Sequence, residues 1–189
     1  MKQRSRHKLL DKIIIIDVES TCWKGKPPMG ERSEIIEIGC CLLDVKTGEL
    51  TENQGILVKP VNSRVSDFCT ELTTLTQNQV DAGISFQAAC RLLQEEYLSK
   101  NRVWASFGDY DRKQFGRQCE ATGIPYPFGS RHLNVKTLCA LKHGWDREVG
   151  MAMVLERLDL PLMGTHHRGV DDALNIAKIL WTLLQERQS

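Results

Sequence analysis

The chain has 189 residues, 41% hydrophobic and 26% charged, with a formal net charge of +1. A chain of that length buries roughly 70% of its unfolded surface and needs no disulfide or structural metal to fold; the composition excludes a disordered polymer. Its longest aliphatic run, Ile13 to Ile16, falls far short of the ~20 residues of a membrane helix, so a soluble domain without membrane contact is expected.

Charge is uneven along the chain. Residues 1–12 carry Lys2, Arg4, Arg6, Lys8 and Lys12 against Asp11 alone, which suggests a frayed basic arm over 1–11 ahead of a single domain over 12–189. No apolar segment of signal-peptide length follows that basic start. The seven cysteines (22, 40, 41, 69, 90, 119, 139) show no CxxC spacing. They read as free thiols packed as small apolar residues, which suits a reducing, cytoplasmic setting.

In chain order, Lys12–Val18 (KIIIIDV) is continuous and β-branched, the pattern of a central strand buried on both faces. Residues 34–43 and 50–58 read as two further strands, joined through the turn residues of 44–49 into a hairpin. A short turn of helix is expected near 67–72. Thr76 and Gln79 form a capping-box pattern for a brief helix stopping near Gly83, and Ser85 caps a helix expected over 86–99. A strand over 103–107, a helix over 109–121 closed by Gly123, a strand over 132–135 and a helix over 136–142 follow. A helix over 147–158, a loop at 164–167 and a terminal helix over 170–186 complete the pattern. A hairpin followed by β/α crossovers implies an α/β fold, a mixed sheet with helices packed on it.

Three places in this pattern carry unexpected acids. Asp17 ends an apolar strand and Glu19 follows on the same side, ~7 Å away. Two anions so placed repel unless a hard divalent cation offsets them. At Tyr110-Asp111-Arg112, Asp111 competes with Asp109 for any special role. At His166-His167-Arg168-Gly169-Val170-Asp171-Asp172, the spacing admits either His167 with Asp172 or His166 with Asp171.

Taken together, Asp17-x-Glu19, Asp111 and His167-x-x-x-x-Asp172 resemble the DEDDh branch of the DnaQ-like 3′–5′ exonucleases. The segments IIIIDVESTCW, EIIEIG, SDFCTELTTLTQNQVD, YDRKQF and HRGVDDALNIAKIL are similar to the subgroup of the histone-mRNA 3′-end exonuclease and its compact bacterial relatives. The resemblance runs from about residue 12 to 185. It selects Asp111 over Asp109 and the His167/Asp172 register, and it implies a ribonuclease H-like fold, a five-stranded mixed sheet with helices on both faces.

The implied activity is metal-dependent 3′–5′ exonucleolytic hydrolysis of single-stranded RNA or DNA to nucleoside 5′-monophosphates. The resemblance assigns Asp17, Glu19, Asp111 and Asp172 to two Mg²⁺ or Mn²⁺ ions, ~3.5–4 Å apart in such sites, and His167 to the general base. It also places Ser20, Thr21, Phe68, Leu72, Thr73 and Tyr110 around the terminal nucleotide, with Trp23 as a further stacking candidate. Lys24, Lys26 and Arg32 are candidates for upstream phosphates. The expected partners are 3′ ends of single-stranded nucleic acid, with no small organic cofactor; protein partners are not specified. Competing readings are a small-oligonucleotide phosphodiesterase and a non-catalytic nucleic-acid-binding subunit.

Overall fold

The structure is a computed structural model and describes residues 9–185. The proposed basic arm falls outside these residues as far as residue 8. Its last three residues are described, and they lie against the body. Leu9 N–H donates to Asn101 O at 3.0 Å, Val45 N–H donates to Asp11 O at 3.1 Å, and Asp11 pairs with Arg102 at 2.9 Å. The packed body therefore takes in residues 9–11, ahead of the boundary at residue 12 that the charge pattern suggests.

Strands β1 (Lys12–Ser20), β2 (Ile35–Asp44), β3 (Leu50–Leu57), β4 (Val103–Ser106) and β5 (His132–Asn134) form one sheet in the order β3-β2-β1-β4-β5. Pairs β1–β2 and β2–β3 are antiparallel, while β1–β4 and β4–β5 are parallel. The helices are α1 (Asp67–Thr73), α2 (Gln77–Asp81), α3 (Phe86–Glu95), α4 (Tyr110–Thr122), α5 (Val135–Lys142), α6 (Met151–Arg157) and α7 (Gly169–Gln185). This is the ribonuclease H-like mixed sheet expected from the sequence.

Strand pleating distributes the isoleucine run of β1 to two cores. Ile14, Ile16 and Val18 pack with Phe86, Trp104 and Phe115 on the α3/α4 side. Ile13 and Ile15 pack with Val135, Val154 and Ile176 on the α5/α6/α7 side. The same alternation carries Asp17 and Glu19 onto the α7 side. A third, smaller core of Ile36, Cys69, Leu75 and Val80 holds α1 and α2 against the start of β2.

Some boundaries differ from the sequence reading. Strand β1 runs on to Ser20, with an irregular register between Glu19 and Ser20. Helix α3 stops at Glu95 rather than 99, because the chain turns through Leu98 at φ +55° and buries Tyr97. Helix α6 starts at Met151 rather than 147, with Gly150 as its extended N-cap.

Two features open a crevice at the carboxyl end of β1. Strand β4 pairs only with Ile13–Ile15, so β1 projects beyond it with an unmatched edge at the point where the sheet order reverses, a usual place for a ligand crevice. Meanwhile α7 begins in direct backbone contact with β2. A Cβ on Gly39 would fall 1.8 Å from Gly169 O, and Gly39 is the β2 partner of Asp17.

Candidate active site

The crevice is a cleft of about 320 Å³ whose lining includes Asp17, Glu19, Ser20, Leu72, Tyr110, Asp111, His167 and Asp172. Four acids thus arrive from three elements. Asp17 and Glu19 come from the end of β1. Asp111 comes from the first turn of α4, where its Oδ1 accepts the Val18 N–H at 2.9 Å and so completes the strand edge that β4 leaves open. Asp172 comes from the first turn of α7. Its neighbour Asp171 turns away, accepting Thr165 N–H at 2.8 Å and closing the 164–168 loop.

Carboxylate oxygens of Asp17, Glu19 and Asp172 all lie within 4.8 Å of one another. Burial, followed by repulsion from Asp111, Glu19, Asp172 and Glu37, pushes the Asp17 carboxyl well above its ordinary range. Burial and the charges of Asp172, Glu37 and Asp111 raise Glu19 to about 9. Asp111 rises only to about 6, because hydrogen bonds from Val18, its own backbone and Ser106 offset its burial. Such a set holds its protons or gains cations. Hard oxygen donors in this number suit Mg²⁺ or Mn²⁺, and Ser20 Oγ, buried without a hydrogen-bond partner, is a further oxygen in the cleft wall. The residues present therefore fit a divalent-ion centre.

Both histidines of the 164–168 loop line the cleft. His166 Nδ1 stands 3.0 and 3.1 Å from the two oxygens of Asp172, and the His167 N–H donates to Asp172 Oδ2 at 2.9 Å. The rings stack with centroids 4.0 Å apart. His167 adopts φ +66°, a left-handed conformation that costs energy outside glycine. Burial, together with the adjacent His166, lowers the His167 pKa below its usual 6.5.

Four of the proposed nucleotide-binding residues lie elsewhere. Thr21 is fully buried: its hydroxyl is 2.9 Å from Ser63 Oγ and accepts the Glu34 N–H at 2.9 Å. Thr73 is also buried, its hydroxyl donating to Cys69 O at 2.8 Å. Short hydroxyl side chains readily satisfy nearby backbone in this way. Phe68 is half-buried on α1 and Trp23 half-buried beyond β1; neither lines the cleft, and from α1 only Leu72 does so.

Besides His166, which the spacing offers only in register with Asp171, the cleft contains residues that motif spacing passes over: Lys136, Phe107, Cys22 and the Gly150–Met151 entry to α6. Of these, Lys136 left a local clue. It is a cation in the first turn of α5, where the helix dipole favours an acid. Behind the cleft, Glu37 is 1% exposed and accepts from Arg168 Nη2 at 2.9 Å and from the Gly169 N–H at 2.8 Å. Arg168 Nη1 also reaches Thr74 Oγ1 at 3.4 Å, linking the C-cap of α1 to the histidine loop.

Comparison with known proteins agrees with this geometry. Residues 14–180 match the family described as Exonuclease. Human 3′-5′ exoribonuclease 1 is 32% identical over 187 residues, covering 93% of this chain and 53% of that protein. The Drosophila melanogaster 3′-5′ exonuclease Snipper is 27% identical over 201 residues, covering 92% of this chain and 69% of that protein. The chain thus spans about half the length of the human relative. Among solved structures, the nuclease domain of 3′hExo, a DEDDh family member bound to rAMP, superposes with a TM-score of 0.81 at 31% identity, covering 93% of this chain and 92% of that one. With the family matched across nearly the whole described fold, the chain belongs to the exonuclease family and is similar to its DEDDh members.

Proposed function

We propose that the chain is a metal-dependent 3′–5′ exonuclease that releases nucleoside 5′-monophosphates from single-stranded nucleic acid. The observation that carries this reading is the convergence of Asp17, Glu19, Asp111 and Asp172, with two histidines, on one cleft. RNA is the first substrate to test, since the human relative is named an exoribonuclease.

Asp17, Glu19 and Asp172 would hold two Mg²⁺ or Mn²⁺ ions, with Asp111 supporting them. When bound, the ions supply positive charge to the attacking and leaving oxygens and make water a nucleophile at neutral pH. His167, neutral near pH 7 because its pKa is lowered, accepts the proton of the attacking water. His166 holds the Asp172 carboxylate through Nδ1. Lys136 supplies a cation for the phosphate, Ser20 Oγ a hydrogen bond for the terminal sugar, and Leu72 and Tyr110 an apolar grip on the terminal nucleoside.

The reducing, cytoplasmic setting belongs to the same reading. None of the seven cysteines is in a disulfide and six of them are buried, and no helix among the described residues is long and apolar enough to cross a membrane. The deciding experiment incubates 5′-labelled single-stranded RNA and DNA with Mg²⁺ or Mn²⁺, with a chelator control. A ladder shortening from the 3′ end, abolished by chelator, is expected. Internal cuts, or shortening that survives chelation, would refute the reading.

A further inference from the structure

Outside the cleft, a pocket of about 140 Å³ lies between α4 and the segment entering β2; Arg32, Ser33, Glu34, Arg117 and Gln118 are among its lining residues. Two buried glutamines build it. Gln114 Nε2 donates to Ser33 O at 3.0 Å, and Gln118 Oε1 accepts the Ile35 N–H at 2.8 Å. These bonds clamp residues 33–35 onto α4 and bring Arg32 and Arg117 to the same pocket. Arg117 is steadied by a hydrogen bond from Nη2 to Gln114 Oε1 at 2.5 Å.

Neither arginine has an anionic partner among the described residues. The acid in the lining, Glu34, is already spent. It is 2% exposed, and its carboxylate accepts five hydrogen bonds from Val61, Asn62 and Ser63. Two exposed guanidinium groups at one small pocket, neither of them ion-paired, favour an anion, and planar N–H forks suit phosphate oxygens. The volume is several times the ~10–15 Å³ that one water requires, enough for a tetrahedral oxyanion.

The pocket is joined to the cleft along one helix face. Tyr110, half exposed, lines the cleft; Lys113 and Arg117 follow it at three and seven residues, on the same exposed face of α4. The rise from Asp111 to Arg117 is ~9 Å, a distance within reach of a strand leaving the cleft. Lys113 is paired with Asp109 at 4.0 Å, which leaves Arg117 as the cation of this face without an ion pair among the described residues.

We infer that Arg32 and Arg117 hold a backbone phosphate of the substrate strand upstream of its 3′-terminal nucleotide; the inference rests on the exonuclease reading. The site makes the protein grip a strand longer than the bond it cuts requires.

The test compares a dinucleotide with a single strand of about twelve nucleotides, using wild type, Arg32→Gln/Arg117→Gln and Arg32→Lys/Arg117→Lys. For the glutamine pair, dinucleotide turnover should stay at the wild-type level, which also shows that the variant is folded. Its KM for the long strand should rise about tenfold, and the log–log salt dependence of binding should flatten by about 0.7 for the phosphate lost. The lysine pair should retain much of the long-strand affinity. An unchanged KM and salt slope for the glutamine pair would overturn the inference, as would equal losses on both substrates. If inorganic phosphate binds the pocket while long-strand KM is unchanged, the site takes free anions and the inference fails. Should wild type cleave neither substrate, the exonuclease reading itself falls and takes this inference with it.

Discussion

Glu37 stands directly opposite Glu19 in the β1–β2 ladder, but only Glu37 has a close cation of its own, the Arg168 guanidinium at 2.9 Å. The ladder therefore sets a compensated carboxylate beside one that lacks a partner of this kind. That contrast separates the residues that brace the site from those offered to a ligand.

Removing Arg168 strands a buried anion beside the acid cluster. Arg168→Met should lower unfolding free energy by up to about 3–5 kcal/mol, the range for breaking one partner of a buried pair. The double variant Arg168→Met/Glu37→Met should recover most of it. Urea denaturation of the four species completes the cycle.

The acids should make the metal-free protein less stable as pH rises. Glu19 is raised in the fold to about 9 from an ordinary 4.5, so the native state binds more protons than the unfolded chain across that window. The stability it contributes is complete below about 4.5 and is lost as pH climbs through about 9. Melting in chelator should therefore show Tm falling between pH 5 and 9, whereas Mg²⁺ or Mn²⁺ should raise Tm and flatten the decline. Asp17→Asn should abolish cleavage and raise the metal-free Tm at pH 8.

His132 acts with the opposite sign. Packed against Trp104 at 4.2 Å and 2.9 Å from Ser106 Oγ through Nε2, it is lowered to about 4, chiefly by burial. Its contribution to stability is present above 6.5 and is lost as pH falls through about 4. His132→Gln should reduce that part of the acid destabilisation, as measured by urea midpoints between pH 7 and 4.

For catalysis, the lowered pKa of His167 predicts that kcat/KM climbs with pH to a plateau, with a midpoint below 6.5. His167→Ala should cost about 10²–10⁴-fold and lose the sloped limb. His166→Ala should keep the limb and act through Asp172, raising the Mn²⁺ concentration needed for half-maximal activity. Exchanged phenotypes would exchange the two roles.

Much of this architecture was legible in the sequence because periodicity reports burial. The isoleucines of β1 announced a strand between two cores, and Asp17 and Glu19 stood out because they continue an apolar row. What was not legible depends on contacts across long sequence separations. Thr21 and Phe68 look like binding residues in one dimension, but Thr21 is tied to Ser63, forty-two positions away. Glu37 sits in a strand buried from Ile35 to Leu43, and its role depends on Arg168, 131 positions on. The spacing admits His166 as readily as His167 and the resemblance takes the second, whereas the loop lets both rings reach the cleft.

The meeting of Gly39 with Gly169 has a consequence for how this cleft can vary. Because two bare backbones touch there, with Asp17 as the cross-strand neighbour of Gly39, no side chain cushions the seat of α7. A single methyl group at position 39 would push the helix outward and carry Asp172 away from β1. The spacing of the acids is thus machined into the main chain, and altering it would require re-seating an entire helix rather than exchanging a residue in the cleft.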